Sequence, residues 1–79
     1  MSNIEKYNEV FKSTFNVDDT ALNGDLAAGR TDKWDSITHL SLVTNIEDEF
    51  DIMMDSEDIL EFRSYEVGKQ ILAKYDVKL

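Results

Sequence analysis

Residues 34–50 read Trp34-Asp35-Ser36-Ile37-Thr38-His39-Leu40-Ser41-Leu42-Val43-Thr44-Asn45-Ile46-Glu47-Asp48-Glu49-Phe50. His39, Leu42, Val43, Ile46 and Phe50 recur at steps of three and four, which places them on one face of a helix. Ile37 and Leu40 lie beside that face, and Thr44, Glu47 and Asp48 lie elsewhere. Asp35 has the residue type and the position of an N-cap. A helix from about Ser36 to Phe50 is therefore expected. The chain has no proline to interrupt it.

The same periodicity extends toward both ends. Ser2 and Glu5 form a capping-box pattern, and Ile4, Tyr7, Val10, Phe11 and Phe15 make one apolar stripe. A first helix from about Asn3 to Phe15 follows. Residues 16–35 are rich in turn formers, with Asp18, Asp19, Asn23, Gly24, Asp25 and Gly29. A connection this long needs its own apolar anchors, and Val17, Leu22, Leu26 and Trp34 are the candidates. Asp55-Ser56-Glu57-Asp58 opens a short helical segment whose apolar residues are Ile59, Leu60 and Phe62. Ser64 is placed to cap a last helix from Tyr65 to about Tyr75, burying Val67, Ile71 and Leu72. Gly68 costs helix propensity and points to a close helix contact. The expected fold is all-α: a small four-helix bundle, three main helices plus one short helix, with a long first loop. The 79 residues fit a single domain spanning 1–79.

Composition limits the functions available. Eight basic and seventeen acidic residues give a net charge of −9. Such a surface disfavours nucleic acid and anionic membranes, and suits partners with basic patches. Between Trp34 and Phe62 there is no Lys or Arg, while Glu47, Asp48, Glu49 and Asp51 follow one another closely. That run is either a solvated face or a docking surface. There is no cysteine, so no protein thiol can act as nucleophile or metal ligand. Residues 18–24 lack the alternating oxygen ligands and closing glutamate of a calcium loop, and no metal site is expected. The start of the chain has no continuous apolar signal region, and no stretch approaches the roughly 20 apolar residues of a membrane span. A cytoplasmic protein is expected.

Ser36 admits two readings. Asp35 and Ser36 can simply start a helix. Alternatively, the hydroxyl carries a phosphate-linked group, which the helix N-terminus would favour electrostatically. A hydrolase triad of Asp35, Ser36 and His39 is not expected, because three residues of one helical turn do not place nucleophile, base and orienter in line. His39 is expected at the core edge with a satisfied hydrogen bond, and Trp34 as the anchor of the loop. Met53 and Met54 are expected to fill core, the other reading being an adaptable pocket.

The stretch 34–50 resembles the acyl carrier protein family, including its stand-alone bacterial members. The family pattern is Asp-Ser-Leu, an apolar helix, then Glu-Glu-x-Phe or a close variant. Asp35-Ser36-Ile37 and Glu47-Asp48-Glu49-Phe50 match it, and Ser64-Tyr65 opens the last helix as the family does. The resemblance runs over nearly the whole chain. It implies that a phosphopantetheinyl transferase attaches 4′-phosphopantetheine, taken from coenzyme A, to Ser36, with Asp35 flanking the site as helix cap. It also implies that the chain is not itself an enzyme. As a monomer it would carry acyl or aminoacyl groups as thioesters on the arm. An acyl- or aminoacyl-loading ligase would charge it, and downstream transferases or synthases with basic docking patches would use the cargo. Ile37, Leu40, Glu47, Asp48 and Met54 would be the partner contacts. Thr38 and Ser41 stand where typical fatty-acid carriers have acid. Thr31-Asp32-Lys33-Trp34 replaces the usual Leu-Gly, and Asp55 stands where a proline is often found. These departures suit a specialised biosynthetic pathway. The alternative function is an unmodified acidic helical module that binds a basic protein.

Overall fold

The computed structural model describes residues 2–79, folded as α1 (Asn3–Phe15), a single 3-10 turn (Asp19–Ala21), α2 (Ser36–Phe50), α3 (Ser56–Glu61) and α4 (Tyr65–Ala73). Among the described residues there is no strand, only two isolated bridges. The fold is the expected small all-α bundle with a long first loop.

The helix ends follow local chemistry. Ser2 accepts from the Glu5 backbone at 3.3 Å while Glu5 accepts from the Ser2 backbone at 3.2 Å, closing the capping box. Helices α1 and α2 both stop at a left-handed residue, Asn16 (φ 55°) and Asp51 (φ 53°). Asn and Asp tolerate this conformation better than most side chains. Ser64 caps α4 by accepting from the Val67 backbone at 2.9 Å. Helix α4 ends at Ala73, two residues before the expected limit. Lys74, Tyr75 and Asp76 donate to carbonyls three residues back, which tightens the last turn.

Phe11 is the hub of the core. Its ring lies 4.8 Å from Tyr7, 5.2 Å from Tyr65, 5.7 Å from Phe15, 6.1 Å from Trp34 and 6.2 Å from Phe62. Leu42, Val43 and Ile46 close the core from α2, and Ile71 and Leu72 from α4. Gly68 faces this centre. A Cβ there would overlap the Tyr7 hydroxyl and the Phe62 ring, so the expected close contact is between α4 and these two aromatics.

The loop of residues 16–35 is pinned rather than loose. Leu26 and Trp34 are buried as expected, while Val17 and Leu22 are only half-buried. Ala28 N–H donates to the Arg63 carbonyl at 2.7 Å and Tyr65 N–H to the Leu26 carbonyl at 2.9 Å. These two bonds lash the loop to the α3–α4 junction. The apolar residues of the α3 segment divide between core and solvent. Leu60 is exposed, and Phe62, just past the helix, is fully buried.

Asp58, read in the sequence only as part of the start of the short helix α3, is the buried charged residue among the described residues. It accepts from Lys74 Nζ and from the Tyr75 hydroxyl, both at 2.5 Å. Tyr75 in turn accepts from the Asp55 backbone at 2.9 Å. This cluster fastens the short α3 to the end of α4.

Candidate functional site

At the start of α2, Asp35 and Ser36 have different surroundings. Asp35 is extended (φ −101°, ψ −179°) and its Oδ1 accepts from the Thr38 backbone at 2.8 Å. That hydrogen bond holds its carboxyl below the usual carboxylate range. Asp35 is thus the cap. Ser36, the first helical residue, is exposed, and no hydrogen bond among the described residues engages its Oγ. The hydroxyl is spare at a helix N-terminus, where unpaired N–H groups and the macrodipole favour negative charge.

Trp34 and His39 brace this turn from below. Trp34 packs against Phe15 at 4.9 Å, and its Nε1–H donates to His39 Nδ1 at 3.1 Å. The indole nitrogen can only donate, so Nδ1 accepts and Nε2 carries the hydrogen. Nε2–H then donates to the Ile59 carbonyl at 2.7 Å. Both ring nitrogens are used, and the imidazole links the loop, α2 and α3. This is the core-edge histidine expected from the sequence. The side chains of Asp35, Ser36 and His39 are not bonded to one another: Asp35 serves Thr38, and His39 serves Trp34 and Ile59.

A cavity of about 500 Å³ opens beside Ser36. Ala28 of the loop, Trp34, Leu40 of α2, Leu60 of α3 and Arg63 border it together with Ser36. Arg63 was missed in the sequence. Its signal was visible there, because it is the first cation after the run between Trp34 and Phe62 that has none. Its side chain forms no ion pair among the described residues, whereas Arg30 reaches Asp25 at 3.3 Å and Lys74 reaches Asp58.

The expected partner contacts are dispersed. Ile37 and Leu40 are 79% and 61% exposed next to Ser36. Asp48 is exposed at the far end of α2, eleven residues and about three turns from Ile37, and both lie on the side away from the core, so Ile37 is not beside the apolar face as expected. Glu47 is half-buried, and its carboxylate accepts from the Met54 backbone at 2.9 Å, holding the segment after α2. Met54 is buried in the core, so its side chain does not reach a partner face. Met53, at 87%, is the exposed one. No helix among the described residues is long and apolar enough to cross a membrane. Comparison with protein-family models, with curated proteins and with solved structures found no match for this chain.

Proposed function

We propose that the chain is a carrier protein whose Ser36 hydroxyl is the attachment point for a 4′-phosphopantetheine arm. The observation that carries this reading is the division of labour at the start of α2. Asp35 does the capping, so the Ser36 hydroxyl is exposed and uncommitted. The residues fit a phosphate-linked group. The helix N-terminus offers positive potential, and Arg63 borders the adjoining cavity without an ion-pair partner among the described residues. When attached, the arm supplies a terminal thiol on which an acyl or aminoacyl group is held as a thioester, a chemistry this cysteine-free chain lacks.

The protein's own part is to present the hydroxyl and to orient partners. Trp34 and His39 keep the turn rigid, so Ser36 reaches an incoming phosphopantetheinyl transferase in one geometry. Ile37 and Leu40 leave apolar surface beside it. The acidic residues along α2 and α3 steer loading and transferring enzymes with basic patches, an effect on encounter rate and orientation more than on affinity. Tethering raises the effective concentration of the cargo at each of them.

The test is intact mass after incubation with coenzyme A and a permissive phosphopantetheinyl transferase, with Ser36→Ala as control. A gain of one phosphopantetheine by the wild type alone is expected. No gain, with the chain folded and the transferase active on another carrier, makes the unmodified acidic module the better reading.

A further inference from the structure

We propose that the cavity beside Ser36 is a berth for the root of the arm, with Arg63 on the phosphodiester and Leu40 and Leu60 on the branched methyl groups that follow it. This rests on Ser36 being the attachment point. Any group esterified to Ser36 Oγ starts at the rim of this cavity, since Ser36 is one of its bordering residues. A phosphopantetheine presents its groups in a set order: the phosphate at the serine oxygen, then a carbon bearing two methyls, and only later the amides and thiol. The first two are an anion and a compact apolar group. The cavity offers one cation and an apolar wall for these two groups, and the Asp35 carboxylate borders it as well.

The cation is well placed for this task. The Arg63 backbone is fixed by the 2.7 Å bond from Ala28, and its neighbours Phe62 and Ser64 are held by the core and by the α4 cap. The guanidinium can therefore reach for phosphate from an anchored base, and its planar fork suits phosphate oxygens. In a chain of net charge −9, with Asp35 at the same turn, a bare phosphate on Ser36 would meet repulsion that Arg63 offsets. The wall has its own reason to be covered. Leu40 and Leu60 are 61% and 71% exposed, and apolar surface left in water favours any apolar group that can cover it. The arm then has a resting position on its own protein.

The test uses the full chain bearing the arm, its attachment confirmed by intact mass, compared with Arg63→Gln prepared in the same way. In the wild type, NMR is expected to show contacts from the arm's paired methyls to Leu40 and Leu60. The Trp34 indole N–H signal should shift between the bare and the arm-bearing protein. Arg63→Gln should move the phosphorus resonance and weaken those methyl contacts, while the bare variant keeps the wild-type amide spectrum. High salt should move the phosphorus resonance in the same direction as the substitution, because it screens an exposed ion pair. A confirmed arm with no methyl contacts overturns the berth alone and leaves the carrier reading standing. Methyl contacts and a phosphorus resonance indifferent to Arg63→Gln overturn the role of Arg63. Failure to gain the arm at all overturns both.

Discussion

Gly68→Ala is a substitution whose sign depends on the tertiary structure. In an isolated helix the change would stabilise by about 1 kcal/mol, because Ala is the better helix former. Here the new methyl would overlap the Tyr7 hydroxyl and the Phe62 ring, its nearest other contact being Phe62 Cε1 at 2.6 Å. Neither neighbour can yield easily. Both are fully buried, and the Tyr7 hydroxyl donates to the Tyr65 carbonyl at 2.6 Å. Overpacking of this kind costs about 1–3 kcal/mol. Displacing the Tyr7 hydroxyl strands two buried polar groups, at about 1–3 kcal/mol. With the propensity gain set against these, the net loss is about 3 kcal/mol. A chain of this size has about 4–12 kcal/mol in all, so the loss is a large share of it. Thermal unfolding by circular dichroism should show Tm lower by about 12–24 °C, given about 4–8 °C per kcal/mol for a small domain. An unchanged or higher Tm would refute the close approach of α4 to Tyr7 and Phe62.

Two further substitutions probe the supports of the site. His39→Ala strands the Trp34 indole N–H and the Ile59 carbonyl and should cost about 1–3 kcal/mol in urea unfolding, with the arm still gained at Ser36. An unaltered urea midpoint would contradict the bracing role. The Asp58 carboxyl is held below its ordinary range by the hydrogen bond from Lys74 and then by that from Tyr75. Its contribution is therefore complete above the unfolded-state pKa of about 3.9 and disappears as pH falls through the lower folded-state value. Asp58→Asn should lower stability at neutral pH and flatten the acid-unfolding profile below about pH 4. Parallel profiles for variant and wild type would sink this assignment.

The four helices and the side-chain N-caps of three of them were legible in the sequence. Helical periodicity and capping act within one or two turns, so Ser2 with Glu5, Asp35 before Ser36, and Ser64 before Tyr65 can be read without a fold. Even the Gly68 contact could be anticipated, because a helical glycine away from the helix ends needs a packing reason. Other features depended on which distant segments meet. Asp58 looked like one more acid in an acidic run until the end of α4 brought Lys74 and Tyr75 to it. Met54 and Met53 are adjacent and chemically identical, yet one is core and the other solvent, because the segment after α2 is held by Glu47. Arg63 and Leu60 border one cavity with Ser36 because the loop bonds across to the α3–α4 junction and His39 ties α2 to Ile59. Short-range periodicity thus determined the elements, while it was the resemblance of residues 34–50, not periodicity, that singled out Ser36. The cavity beside Ser36 came from chain crossings between residues far apart in sequence, which no local pattern encodes.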